Sequence, residues 1–287
     1  MTDFAYATAP AAPRSPRPRH YLMTPPRYFA VEYAINPWMH PGIDVDVELA
    51  LRQWQGLVDT YRELGHRVEE MEPVPGLPDM VYAANGALVT PKATIAARFA
   101  HPQRADESAA YAAWLDSYGL GPVHVAQEVN EGEGDFLVVG DLILAGTGFR
   151  TSPAAHAEVA RLTGLQVVSL ELVNPSYYHL DTALAVLDDH TIAYYPAAFS
   201  PVAQARLTTI FPDAIIATEA DAAVFGLNAV SDGKHVLLAA AATGLAAQLT
   251  SRGFTPVPIE LTELLKGGGS VKCCTLELRR DHVPEMF

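Results

Sequence analysis

Residues 151–195 read TSPAAHAEVARLTGLQVVSLELVNPSYYHLDTALAVLDDHTIAYY. Thr151 or Ser152 serves as an N-cap and Pro153 occupies the first turn, so a helix is predicted from there to about Gly164. Residues 166–172 follow as a strand. A polar loop comes next, Tyr177-Tyr178-His179-Leu180-Asp181-Thr182, and then an apolar hairpin over 183–195 turning at Asp188-Asp189. The order is helix, strand, polar loop, hairpin.

Working outward from this segment, the same unit recurs about every fifty residues. On the N-terminal side a helix is predicted over 47–64, where Val47, Leu51, Trp54, Val58 and Tyr61 fall on one face, with Gly65 to end it. Residues 67–71, a loop holding Asp79 and Asn85, and a hairpin near Pro91-Lys92 complete that unit. The next has a helix over 106–118, a strand over 123–129, the loop Glu131-Gly132-Glu133-Gly134-Asp135 and a hairpin over 136–145. On the C-terminal side a helix starts at Ser200-Pro201, a strand covers 214–218, and Gly226-Leu227-Asn228 leads to a hairpin with Asp232-Gly233 at its turn. The last unit has a helix over 245–252, a strand over 255–261 and the loop Gly267-Gly268-Gly269-Ser270-Val271-Lys272-Cys273-Cys274-Thr275, but one hairpin strand only. His20-Tyr21-Leu22-Met23 is the natural partner for that strand and would close a ring. Repeated units that share a core stabilise strands too short to stand alone, and closure protects their edges. A doubly wound α/β sheet is the competing architecture. The hairpins weigh against it, because a mainly parallel sheet has few. On the ring reading, Asp79 and Asn85, Glu131 and Glu133, His179 and Asp181, Asn228, and Cys273 occupy equivalent points of five units and converge on one centre.

The chain has 287 residues, 49% of them hydrophobic, and a formal net charge of −14. That balance disfavours a nucleic-acid partner, which needs a basic footprint, and weakly favours a cationic small molecule. No apolar run is long enough to cross a bilayer, so no membrane partner is expected. Residues 1–19, rich in Ala and Pro with several Arg and no apolar core segment, read as a disordered tail ahead of one catalytic domain over 20–287. The scarcity of cysteine fits a reducing, cytoplasmic setting. Homo-oligomerisation is possible and not specified by the sequence.

The two cysteines, Cys273 and Cys274, are adjacent and have no third partner. As small buried hydrophobes they would be inert; behind a glycine run, one is a candidate nucleophile. His179 and Asp181, two apart in a strand, would point to one face and set an acid–base group beside a carboxylate. A thiol, an imidazole and several carboxylates suit a planar cation rich in N–H donors, and a guanidinium fits. No His-Glu-x-x-His or Cys-x-x-Cys pattern supports a metal, and the glycine run lacks the phosphate-loop ending.

In the glycine run before Cys273-Cys274-Thr275, in His179-Leu180-Asp181 and in the Glu131–Asp135 loop the chain resembles the guanidino-group-modifying superfamily. Its members include arginine deiminase, dimethylargininase, glycine amidinotransferase and arginine dihydrolase. The resemblance implies a five-bladed α/β propeller with pseudo-fivefold symmetry (pentein). It implies Cys273 as nucleophile, His179 as general acid and base, Glu131 as the catalytic acid with Glu133 as the alternative, and Asp181 as a guanidinium-binding carboxylate. It places Asn36 and Asn85 where the arginine dihydrolase branch has two pocket asparagines, and Arg104 where the family binds a substrate α-carboxylate. Asp79 joins the binding set, and no metal or organic cofactor is needed. Asn36 before Pro37 could equally form a turn. The implied activity is hydrolysis of arginine to ornithine or citrulline plus ammonia through an amidino-thioether. Dimethylargininase, releasing dimethylamine, is the alternative; amidinotransferase and a non-enzymatic propeller are the remaining rivals.

Overall fold

The computed structural model describes residues 14–279. Its strands form five three-stranded sheets of one design, an antiparallel hairpin whose second strand pairs in parallel with a strand beyond it. The hairpin strands are Ala87–Val89 and Thr94–Ala96, Phe136–Val139 and Leu142–Thr147, Leu184–Val186 and Ile192–Tyr194, and Val230–Ser231 and His235–Ala239. The fifth sheet is assembled from the two ends of the domain: Leu276–Glu277 runs antiparallel to His20–Met23, with Tyr21 opposite Glu277 and Leu22 opposite Leu276. His20–Met23 then pairs in parallel with Arg67–Glu70. The strand pairing expected for the last unit is therefore made.

Helices connect each hairpin to its parallel strand. The signals that start them act as read: Ser152 accepts from the backbone N–H of Ala155 ahead of Pro153–Thr163, and Ser200 does the same for Ala203 ahead of Pro201–Ile210. Gly164 ends the first of these at φ 68°, a left-handed conformation that glycine adopts without strain. Helix Val47–Glu63 is rotated slightly from the face expected for it. Ala50, Trp54, Leu57, Val58 and Tyr61 are buried, while Val47 and Leu51 are only half-buried. The second helix stops at Leu115, and Asp116–Leu120 continues as a wider turn ending at Gly119, φ 87°.

The core lies between these helices and the sheets. One cluster joins Leu170, Leu184, Ile192, Leu207, Leu238 and Leu249 across three sheets; another joins Tyr21, Trp54, Leu57, Tyr61 and Leu264 around the closing sheet. Each large side chain so buried contributes about 1.5–3 kcal/mol.

The tail expectation covered residues 1–19, of which 1–13 lie outside the described residues. Residues 14–19 correct it. Arg14 pairs with Asp188 at 2.6 Å, Arg17 with Asp189 at 2.5 Å, and Arg19 with Glu277 at 3.1 Å. The arginines that read as tail composition are attached to carboxylates contributed by the folded domain. Among the described residues no helix is long and apolar enough to cross a membrane.

Candidate active site

In every sheet the polar loop immediately precedes the first hairpin strand: Asn85 before Ala87, Glu131 before Phe136, His179 before Leu184, Asn228 before Val230 and Cys273 before Leu276. The loops meet. Cys273 is buried, and its Sγ receives a hydrogen bond from Asn228 Nδ2 at 3.1 Å and lies 3.4 Å from Asp181 Oδ2. The Asn228 carboxamide oxygen accepts from the backbone N–H of Ser270 at 3.2 Å and of Cys273 at 3.1 Å, so one side chain orients the loop and the sulfur together. The thiol therefore sits at the edge of an apolar cluster with its sulfur turned to polar atoms.

The glycine run has a steric cause. A Cβ on Gly267 would stand 2.9 Å from the Phe29 ring, and one on Gly269 would overlap the Tyr82 ring. Gly268 adopts φ +84°, with Asn36 and the Tyr178 hydroxyl within 3 Å of any Cβ placed there. The run lets the nucleophile loop pass between aromatic side chains.

His179 Nε2 lies 2.6 Å from Glu131 Oε2. A carboxylate only accepts, so Nε2 carries the proton and Nδ1 is the nitrogen left for other work. Nδ1 is buried and has no partner among the described residues. Glu131 also takes Arg150 Nη1 at 3.0 Å and the backbone N–H of Ala100 at 3.1 Å. Burial pushes its carboxyl up, but Arg150 and His179 outweigh burial and hold it well below the usual carboxylate range. Glu133, two residues on, turns the other way, to Lys272 Nζ at 2.8 Å and to Arg279. Of the two acids left open by the sequence, Glu131 is the one that reaches the imidazole.

The arrangement of His179 and Asp181 corrects the strand reading. His179 is extended at φ −120° and ψ 155°, but Leu180–Ala183 is a helical turn with Asp181 inside it. Asp135 fixes this turn by accepting from the Leu180 backbone N–H at 3.0 Å. Helical geometry, and not alternation along a strand, brings Asp181 to Cys273.

Asp79 and Asp181 are both fully buried, and each has one oxygen, Oδ1, with no partner among the described residues. The other oxygen of Asp79 accepts from Tyr33 Oη at 2.9 Å. Unpartnered buried acceptors are costly, and a cationic N–H donor set satisfies them. Burial raises Asp181 to about 6 despite His179 nearby. Burial, and then the Asp181 charge, also push the Cys273 thiol well up, so with no cation beside it the sulfur stays protonated. A bound cation reverses the second cause and favours the thiolate.

The Asp181 shift predicts a stability effect. Its folded pKa of about 6 lies above the unfolded value of about 3.9, so the folded state holds the proton more tightly. The resulting stabilisation is full below pH about 4 and is lost as pH rises through 6, a loss of roughly 3 kcal/mol at most. Asp181→Asn should therefore melt a few degrees higher than the parent at pH 8, and at nearly the same temperature at pH 4, while losing activity. Thermal denaturation at the two pH values, with an activity assay, checks both; an equal shift at both would reject the buried-carboxylate account.

Asn85 and Arg104 are joined to one another. Arg104 Nη1 donates to Asn85 Oδ1 at 2.8 Å, Nη2 to the Asp79 carbonyl at 3.2 Å, and Nε and Nη2 donate to the two Glu107 carboxylate oxygens at 2.9 and 2.7 Å. Most of its donors are thus engaged, and in this state it orients Asn85. Asn36 does form the turn allowed for it: its Oδ1 accepts from the backbone N–H of Trp38 at 2.9 Å and of Met39 at 3.2 Å. Its Nδ2 nevertheless reaches the Gly267 carbonyl at 3.1 Å, against the nucleophile loop. Sequence reasoning missed Arg150. It follows its hairpin as Arg98 and Arg104 follow theirs, and that equivalence was the available signal. Arg150 Nη2 also donates to the Ile35 carbonyl at 2.6 Å, tying segment 28–40 to the arginine that holds Glu131.

Among the described residues, then, a buried thiol, a carboxylate-bound imidazole and unpartnered acidic oxygens share one centre, which is the equipment of hydrolases acting on the C–N bonds of linear amidines. Comparison with known proteins agrees. Residues 26–280 match the family model for eukaryotic-type N,N-dimethylarginine dimethylhydrolase, and the chain belongs to this family. It is 60% identical over 281 residues to an N(G),N(G)-dimethylarginine dimethylaminohydrolase of Mycobacterium tuberculosis, covering 97% of this chain and 93% of the relative. It is 35% identical to the bifunctional arginine dihydrolase/ornithine cyclodeaminase ArgZ of Synechocystis, over 92% of this chain but 38% of that longer protein. The crystal structure of the substrate-bound N-terminal domain of ArgZ, a cysteine-to-serine mutant, superposes with a TM-score of 0.88 at 34% identity, covering 91% of this chain and 98% of that one. The protein is a hydrolase of the guanidino-modifying superfamily.

Proposed function

We infer that the five sheets are blades of an α/β propeller with pseudo-fivefold symmetry, forming one catalytic domain from residue 14 or soon after, and that the substrate is a methylated arginine. The observation that carries the chemistry is Cys273 Sγ at 3.4 Å from a buried Asp181 whose other oxygen has no partner among the described residues. A guanidinium placed there satisfies the free oxygen of Asp181 and brings its central carbon to the sulfur.

The steps follow from the positions. The guanidinium charge lowers the thiol pKa, the thiol proton passes to His179 Nδ1, the nitrogen that Glu131 leaves free, and the Cys273 thiolate attacks the guanidino carbon. His179, held by Glu131, gives a proton to the departing amine; the C–N bond breaks and an amidino-thioether remains. His179 then takes a proton from water, the hydroxide adds to the same carbon, and the C–S bond breaks. The thiolate and a ureido product are released. With asymmetric dimethylarginine the products are dimethylamine and citrulline. Arg104 and Arg150, bordering the site, are the candidate partners of the substrate α-carboxylate.

The arginine dihydrolase or deiminase reading is second to this one. It draws support from the likeness to ArgZ and from Asn36 and Asn85 at the site, but the 60% relative carries the dimethylargininase name. Incubation with asymmetric dimethylarginine and, separately, with arginine separates them. Dimethylamine and citrulline from the first, with arginine turned over at least about 100-fold more slowly, is the expected result, because arginine lacks two methyls and each methyl-sized mismatch is worth about 10-fold or more. Ornithine, carbon dioxide and two ammonia from arginine at the faster rate would establish the dihydrolase.

A further inference from the structure

The steps above employ Cys273, His179, Glu131 and Asp181 and give Asn228 no part. Yet Asn228 is fully buried and touches the reacting sulfur. A carboxamide has an oxygen with two acceptor sites and an NH2 with two donors, and here all four are engaged. Oδ1 accepts from the backbone N–H groups of Ser270 and Cys273. Nδ2 donates to the Asp181 carbonyl at 3.1 Å and to Cys273 Sγ at 3.1 Å. This pattern fixes which end of the amide is which. Turned over, its oxygen would face a carbonyl oxygen and the sulfur, and its NH2 would face two N–H donors. The sulfur therefore meets a donor on that side.

The titratable groups around the sulfur work against a thiolate. Asp181 Oδ2 stands at 3.4 Å, and Cys274, Tyr82 and Tyr178 lie within reach of the sulfur's charge. All four are acids, and each repels a negative sulfur when ionised. The cations His179 and Lys272 oppose the charge of Asp181. Burial adds its own cost. Against these stand the Asn228 Nδ2–H and, from the loop that carries the sulfur, the Ser270 backbone. A thiol sulfur is a weak acceptor, whereas hydrogen bonds to an ionised group are roughly twice as strong as neutral ones. The Asn228 N–H thus stabilises the thiolate more than the thiol. The sulfur carries this charge twice in the cycle. It does so before attack, once its proton has gone to His179, and again when the C–S bond breaks and the electron pair returns to it.

We propose that Asn228 is a further catalytic residue, whose carboxamide N–H holds the negative charge of the Cys273 sulfur both in the attacking thiolate and in the thiolate released from the amidino-thioether. The inference rests on Cys273 as the nucleophile of the proposed hydrolysis. It does not depend on which guanidino compound is hydrolysed.

The probe is 2-chloroacetamidine, a small cation that alkylates a thiolate with loss of chloride. Labelling of Cys273 at saturating reagent, followed by mass spectrometry across a pH range, gives the pH at which the sulfur beside a bound cation is half ionised. Asn228→Asp keeps an acceptor for the Ser270 and Cys273 N–H groups and puts a carboxylate oxygen in place of the donor. Asn228→Ala removes both. In each variant the midpoint should move up by about one pH unit or more, the least expected for loss of a hydrogen bond to a charged group. Asn228→Asp keeps the test intact if Asn228→Ala fails to fold. A purely structural role would lower the labelling rate at every pH and leave the midpoint in place. A midpoint in Asn228→Asp that stays put or moves down therefore overturns the proposal. Failure of the nucleophile reading looks different: the parent then gives no Cys273 adduct at any pH, which overturns both.

Discussion

Cys273→Ser is expected to lower kcat on the methylated substrate by about 10⁴-fold or more, the scale seen when a covalent nucleophile is removed. The geometry explains why serine cannot stand in. A hydroxyl is far less acidic than a thiol, and the acceptor beside it, Asp181 Oδ2 with a pKa of about 6, is too weak a base to take its proton. The thiol ionises because a cation arrives, and a cation cannot bring an alkanol near neutrality. Folding should be retained, since Asn228 still accepts from the Ser270 and Cys273 backbone N–H groups. Mass spectrometry of the parent after acid quench should show an amidino adduct on Cys273, and the variant should show none. Full turnover by the serine variant, or an adduct at Cys274, would remove Cys273 from the mechanism.

The second large effect belongs to His179. His179→Asn should lower kcat by about 10²–10⁴-fold, the usual contribution of a general acid–base group. Its signature is dependence on the leaving group. Dimethylamine cannot depart without a proton, whereas an S-alkyl isothiourea analogue of the substrate releases a thiol that needs little help. Adduct formation with the analogue should therefore survive in His179→Asn while its hydrolysis stalls, so the adduct accumulates. Glu131→Gln should give a similar but smaller loss, because Arg150 then faces a neutral amide at the same place. An equal loss of adduct formation with both leaving groups would assign His179 a positioning role only.

Much of this architecture was legible in the chain because its signals are local. Ser152, Pro153 and Gly164 bound their helix by satisfying or terminating its own backbone, and Asp232-Gly233 turns its hairpin without help from elsewhere. The pairing of Leu276–Glu277 with His20–Met23 was legible for a different reason: the last unit lacked a strand, and the N-terminal segment was left over to supply it. The family resemblance then marked Cys273, His179 and Glu131, residues that the fold brings to a common centre.

Other features were not local and could not be read. Glu131 and Glu133 differ by two positions in one loop, yet one meets His179 and the other meets Lys272 and Arg279. Arg104 has a substrate-binding arginine's place in sequence, and here its guanidinium clasps Glu107, whose carboxyl burial raises to about 7 against that pairing. Alternation put His179 and Asp181 on one face of a strand, but a helical turn fixed by Asp135 carries the second of them.

From residue order alone came the repeated unit, its caps and turns, the strand exchange between the chain's ends, and the types of side chain available for guanidino chemistry. These depend on interactions a few residues apart or on counting strands. Which acid faces the imidazole, which oxygens are left without partners, and where Arg150 and Asn228 act were settled only by packing. Those outcomes rest on burial and on charge partners from distant segments, and one peptide carries no record of what will be folded against it.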